Sequence, residues 1–167
     1  NENLIEFKFS GRQYQYPCNN FWEKESTFHD IHRLILNGPI GDFNERIQQI
    51  FKNYDNINFQ ERTSNLALSW KQIREMSEDD LVEIGAHTIN HYALNKLSEA
   101  AVQEEMEGSR DRIESEIGKK VEHFCYPFGT RNEVGEREFR IAKQCGFKTS
   151  TTGSSANIFP EHKNFLE

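Results

Sequence analysis

The sequence is short of the features that mark several protein classes. Its three cysteines (Cys18, Cys125 and Cys145) are odd in number, far apart and without a CxxC pair, which argues against a disulfide framework or a cysteine zinc site. No apolar run approaches the roughly 18 residues of a spanning helix. The opening NENLIEF has neither the basic start nor the apolar stretch of a secretory leader. The scarcity of thiols and the lack of a leader together favour a reducing, cytoplasmic setting. Positive charge is short as well: 20 Lys and Arg against 27 Asp and Glu leave a net charge of −7. Nucleic acids and anionic membranes are met through basic patches, so neither is expected as a partner. Apolar residues are sparse. Phe, Ile, Leu and Val make up 24% of the 167 residues, just above the roughly 20% below which chains tend to disorder. With a mean hydropathy of −0.82, the core is expected to be thin, and the chain reads as part of a larger fold.

What is present falls into two stretches. Residues 4–9 (LIEFKF) and the run RQYQY alternate apolar and polar on either side of Ser10-Gly11, which predicts two strands joined by a tight turn. A helical pattern follows from Phe21 to about Ile50, with Phe21, Phe28, Ile31, Leu34 and Ile35 on one face and a break at Asn37-Gly38-Pro39. The Asn-rich residues 53–66 read as a loop. From Ser69 the signals sharpen. Ser69–Gln72 and Ser77–Asp80 both have the capping-box pattern that opens a helix. Leu81–Ala86 (LVEIGA) suits a buried strand. Ser98 predicts the start of a long helix to about Ile117, with Val102, Met106, Ser109, Ile113 and Ile117 as its core stripe and Gly118 as its stop. A strand near His123–Tyr126, a helix over about 136–145 and a last strand at Phe147–Thr151 complete the order. Strand, helix, strand, helix, strand predicts βαβ units and a parallel sheet.

The sharpest chemical signal is His87-Thr88-Ile89-Asn90-His91, two histidines four apart just past a predicted strand. On a helical turn that spacing brings both imidazoles to one side, where they can share a zinc ion. The zincin pattern does not apply, because no Glu follows the first histidine. Taken alone, an HxxxH is more often two polar histidines in an exposed loop.

Its context resembles the polysaccharide deacetylase family, the NodB-homology domain. Glu83-Ile84-Gly85-Ala86-His87 and the following turn to His91, the long helix opened by Leu97-Ser98, and Phe124-Cys125-Tyr126-Pro127-Phe128-Gly129 follow the family's order and spacing over roughly residues 68–160. The resemblance implies a bacterial hydrolase of carbohydrate metabolism that removes N-acetyl groups from a sugar polymer or glycoconjugate. Its cofactor would be zinc or another divalent metal, with His87 and His91 as ligands. It also implies that Tyr126, Pro127, Phe128 and Gly129 line the sugar groove, with the rings of Tyr126 and Phe128 as one wall. The backbone N–H of Phe128 would hold the oxyanion.

Other expected parts are missing. The family's T-F-D-D-G strand supplies a base and a third ligand; its nearest counterpart, Thr27-Phe28-His29-Asp30-Ile31, has His29 in place of the first Asp, the base, lacks the glycine and reads as helix, with Asp30 as the alternative ligand. Many members have an arginine where Cys125 stands. The late Leu-x-His acid has no counterpart. The resemblance therefore implies an α/β fold, a partial distorted (β/α) barrel (residues 68–167), preceded by a hairpin and helical segment inserted into it (residues 1–67). It further implies an interior piece of an enzyme that is inactive alone and is short of the third metal ligand. The alternatives are a non-catalytic relative that binds glycan or serves as scaffold, and an unrelated domain whose HxxxH is incidental. Glu99, Glu104, Glu105 and Glu107 with Arg110 and Arg112 read as a solvated helix face. His29, His32, His123 and His162 carry no motif.

Overall fold

The computed structural model describes residues 3–37, 43–54, 63–64 and 66–154. The chain divides into two units, Asn1–Leu66 and Ala67–Glu167.

In the first unit, β1 (Leu4–Phe9) and β2 (Arg12–Pro17) pair antiparallel with Phe7 opposite Tyr14. Ser10 and Gly11, at φ 49° and 78°, make the two left-handed steps that match a hairpin's twist. Alternation turns Phe7 inward, its ring stacked on Tyr14 at 5.3 Å. Helix α1 (Phe21–Leu36) is opened by Asn20, whose side chain accepts from the Glu23 N–H at 3.0 Å. Thr27 donates its hydroxyl to the Pro17 carbonyl at 2.9 Å. Helix α2 (Phe43–Phe51) runs into a 3₁₀ turn, Lys52–Tyr54, and contributes Ile50 to a core with Phe7 and Ile31. The buried Arg46 donates from Nε to the Ile35 carbonyl at 2.9 Å.

The expected core face of α1 is corrected in part. Ile31, Leu34 and Ile35 do face the hairpin, but Phe21 and Phe28 are 70% and 62% exposed. Two six-residue strands cover only the narrow stripe that runs through Thr27 and Ile31. The predicted break at Gly38-Pro39, and residues 55–62 and 65 of the predicted loop, lie outside the described residues.

The second unit opens with α3 (Trp70–Ser77), which carries the expected reciprocal box between Ser69 and Gln72. Helix α4 (Glu99–Ile117) starts at Ser98, which accepts from the Ala101 N–H, and stops at Gly118 in the left-handed region. Strand β3 (His123–Cys125), helix α5 (Glu136–Gln144) and strand β4 (Thr149–Thr151) follow. β3 pairs parallel to β4 with His123 opposite Thr149, and Ala86 bridges parallel to Phe124 on the other side. Two parallel crossovers, one through α4 and one through α5, therefore meet at β3. Val102 and Met106 from α4, Ile141 and Ala142 from α5, Phe124 from β3, Tyr126 just after it and Phe147 just before β4 form the core, with Ile113 and Ile117 packed on it. Arg110 sits 5.3 Å over the Phe147 ring, and Arg112 sits 5.4 Å over Trp70.

Two expectations here are overturned. Ser77 opens no helix: it is the last residue of α3, its hydroxyl turned back to the Arg74 carbonyl at 2.8 Å, and residues 78–81 form turns. Leu81–Ala86 is no buried strand either. Only Ala86 makes a ladder bridge and is buried, whereas Leu81 is 94% exposed. The segment has one partner, β3, and no described element covers its start. No described helix is long and apolar enough to cross a membrane.

Candidate functional site

Three backbone exits lie side by side at the C-terminal ends of Ala86, β3 and β4, the end at which parallel α/β sheets carry their sites. His87 leaves first. Its Nδ1 lies 2.7 Å from the Cys125 carbonyl oxygen. A carbonyl only accepts, so Nδ1 bears a proton, and in the neutral ring this leaves Nε2 with the lone pair that a metal ligand needs. The His91 ring stands 4.8 Å from the His87 ring and 4.9 Å from the Phe128 ring, edge-on to both. The spacing of four thus brings the two imidazoles together, but not on a helical turn as expected. Thr88 and His91 adopt φ of 64° and 57°, and the Thr88 hydroxyl accepts from the His91 N–H at 3.0 Å. Left-handed backbone at a β-branched residue is strained. Three of the four non-glycine residues with positive φ among those described are Thr88, His91 and Phe128, all at this site.

Glu105 was expected on a solvated helix face. It is 6% exposed, and its carboxylate accepts from the Ile89 and Asn90 backbone N–H groups at 2.9 Å each and from Asn90 Nδ2 at 2.6 Å. The sequence did hold a signal: Glu105 falls three after Val102 and four before Ser109, on the stripe that α4 buries.

The loop after β3 is fastened by backbone. The Tyr126 N–H donates to Thr151 at 3.0 Å, the Gly129 N–H to Pro127 at 2.7 Å and the Gly153 N–H to Gly129 at 2.9 Å. A Cβ on Gly129 would lie 2.3 Å from the Gly153 nitrogen, and one on Gly153 would lie 2.7 Å from the Phe128 carbonyl oxygen. Glycine at both is what lets the two strand exits touch. The expected aromatic wall changes in consequence. Tyr126 is 2% exposed, its ring against Phe124 and Phe139 and its hydroxyl donating to Ser150 at 2.9 Å. Burial pushes its phenol up to about 12. Pro127 is buried too, so Phe128, half-buried, is the ring of this loop that meets the histidines. Cys125 is exposed, and burial of its sulfur pushes the thiol up.

Among the described residues, no third histidine, cysteine or carboxylate joins His87 and His91 in a metal-sized cluster. Asp30 lies on α1 in the first unit, 3.9 Å from Arg33. Such a cluster does occur at the opposite strand ends, where Glu83, Glu122 and His123 gather within 4.8 Å. There His123 Nε2 pairs with Glu83 at 2.9 Å, its Nδ1 meets the Thr149 hydroxyl at 2.6 Å, and Glu122 pairs with Lys148 at 2.5 Å. That hydrogen bond from Lys148 holds the Glu122 carboxyl below its ordinary range. These side chains tie the segment before Ala86 to β3 and β4.

The family model described as polysaccharide deacetylase matches residues 37–150. The match starts upstream of residue 68, where the sequence resemblance was expected to begin, and takes in α2. Among solved structures, the Streptococcus pyogenes deacetylase PplD, in complex with acetate, is similar at 20% identity and a TM-score of 0.55, over 84% of this chain and 68% of its own. That likeness shows the fold. A polysaccharide deacetylase from Bacillus cereus is 30% identical with a TM-score of 0.46, over 52% of this chain and 25% of its own. The deacetylase domain of BpsB from Bordetella bronchiseptica is 20% identical with a TM-score of 0.46, over 51% of this chain and 41% of its own. The chain thus spans less than half the length of these last two. No curated protein matches the sequence significantly.

Proposed function

Because this chain belongs to the polysaccharide deacetylase family, we propose that it forms part of a metal-dependent hydrolase that removes N-acetyl groups from a polysaccharide or glycoconjugate. The reaction is hydrolysis of an acetamide: water adds to the carbonyl carbon, the C–N bond breaks, and acetate and a free amine leave. The observation that carries the reading is the approach of His87 and His91 with the His87 tautomer set by the Cys125 carbonyl. That tautomer and that proximity fit a divalent cation held by both rings. Zinc, when bound, supplies a Lewis acid that polarises the carbonyl and acidifies a coordinated water. Phe128 would present its backbone N–H to the developing oxyanion and its ring to the sugar, and Gly129 would give the chain close access beside it. Tyr126 and Pro127 would support this loop from the core. In this reading residues 68–167 are part of a distorted (β/α) barrel, with residues 1–67 as an insertion, and the base, the acid and the third ligand come from outside the described residues.

The test is a zinc titration of the metal-stripped chain beside His87→Ala. One ion per chain, lost in the variant, is the expected result; equal binding by both overturns the assignment. The chain alone is expected to release no acetate from a chitin oligomer, and zinc-dependent release would overturn that. The lack of a third ligand among the described residues favours a second reading, a non-catalytic relative that holds glycan. Binding of the same oligomer that survives both chelation and His87→Ala would mark that reading as correct.

A further inference from the structure

Two imidazoles four residues apart do not meet by default. The turn that joins them contains two left-handed residues, one of them threonine, a conformation that persists only where the surroundings over-determine it. The surroundings here are a short stretch of α4. The buried Glu105 carboxylate accepts both backbone N–H groups in the middle of the turn, Ile89 and Asn90, on a single oxygen, while its other oxygen takes the Asn90 side chain. One helical step further, Gly108 leaves room for the same segment: a Cβ there would lie 2.6 Å from Ile89 Cδ1. Glycine in a helix interior is unfavourable relative to alanine, and the seat it leaves for Ile89 gives it a structural purpose. Glu105 and Gly108 are three apart, on one face of α4, and both address the two residues at the centre of the turn.

We infer that Glu105, assisted by Gly108, is the positioning residue of this site: it holds the 87–91 turn in the one backbone conformation that sets the His87 and His91 rings together. The inference rests on the metal reading of the histidine pair for its purpose, but not for its geometry. Glu105 touches neither ring. It acts through the backbone of Ile89 and Asn90, as partners beyond the ligands commonly do in metal sites, where their loss typically weakens metal binding about 10–100-fold.

The experiment compares wild type, Glu105→Gln and Glu105→Leu as full chains, with two readouts. The first is amide hydrogen exchange of the metal-free protein; the second is zinc affinity. Gln retains an oxygen that can accept the two backbone donors, whereas Leu offers none. In Glu105→Leu, exchange at Ile89 and Asn90 is expected to speed up at least about tenfold, with amides of the flanking α4 turns unchanged, and zinc affinity to fall about 10–100-fold. Glu105→Gln is expected to recover most of both. A merely structural glutamate would instead speed exchange throughout α4 and show no rescue by Gln. Wild-type exchange at Ile89 and Asn90 in a folded Glu105→Leu protein would overturn the inference. If Leu prevents folding, the smaller Glu105→Ala, which likewise offers no acceptor, decides: acceleration confined to these two amides supports the inference, and wild-type exchange there overturns it. A wild-type chain that binds no zinc would defeat the metal reading alone, and the exchange rates would then judge Glu105 by themselves.

Discussion

His87 Nδ1 lies 2.7 Å from the carbonyl oxygen of Cys125, so a histidine leaving one strand position is oriented by the backbone of the next strand. The contact uses no side-chain atom of Cys125. Replacing that residue by serine is therefore expected to leave zinc affinity within about threefold of wild type, well short of the 10–100-fold typical of a lost outer partner. A zinc titration of Cys125→Ser checks this. In the wild-type chain Cys125 should be the first thiol to react with an alkylating reagent, because Cys18 and Cys145 are buried. Peptide mapping after partial labelling reads the order.

Gly129→Ala is expected to destabilise the second unit by on the order of 2 kcal/mol or more, since it combines a left-handed φ of 62° with a Cβ 2.3 Å from the Gly153 nitrogen. Urea denaturation at constant m-value measures it. A Gly118→Ala variant is the control: its φ is 69° but nothing lies within 4 Å of the added Cβ, so it should cost only the conformational part.

Stability should decline in alkali. Burial raises the Tyr126 phenol to about 12 from an ordinary 10, and the Cys145 thiol to about 11 from an ordinary 9. Both groups are neutral when protonated, and the fold resists their ionisation, so the unfolded chain loses these protons first as pH rises. Their contribution is whole below about pH 9 and is lost progressively between about pH 9 and 12. A two-unit shift corresponds to on the order of 2 kcal/mol for Tyr126. Chemical denaturation across this range should show a shallower decline above pH 10 for Tyr126→Phe, from a starting stability lowered by loss of the Ser150 hydrogen bond.

Leu81 and Met106 make a matched pair of apolar residues with opposite expected responses. Leu81 is 94% exposed and Met106 is fully buried. Leu81→Ser should change stability by less than about 0.5 kcal/mol, while Met106→Ala should cost about 2–5 kcal/mol. A large loss at Leu81 would mean that an element covers it in solution.

What the sequence made legible was local. Ser69, Ser98 and Gly118 mark helix ends because a cap's partners are three or four residues away. The hairpin shows in its alternation. The Val102–Met106–Ser109 stripe shows in its period, and the parallel order of β3 and β4 in the helix between them. The histidine pair was also visible as a spacing, but not how its members meet. The place of Glu105 on the buried stripe could be read, but its role could not, because its partners are backbone N–H groups some 15 residues upstream, and backbone donors leave no trace in a sequence. Leu81 looked buried because an apolar run does not reveal whether anything covers it. The same limit placed the Tyr126 ring in a groove when it belongs to the core.

The backbone contact between Gly129 and Gly153 bears on any attempt to move this chemistry elsewhere. Tyr126–Gly129 is fastened to the exit of β4 at Thr151 and Gly153, so it does not keep its shape as a lone tetrapeptide. A graft onto another scaffold must carry both exits, in parallel register, with glycine at each point of closest approach. Single-segment loop exchange between relatives would lose this geometry, and the smallest transplantable unit joins two stretches more than twenty residues apart.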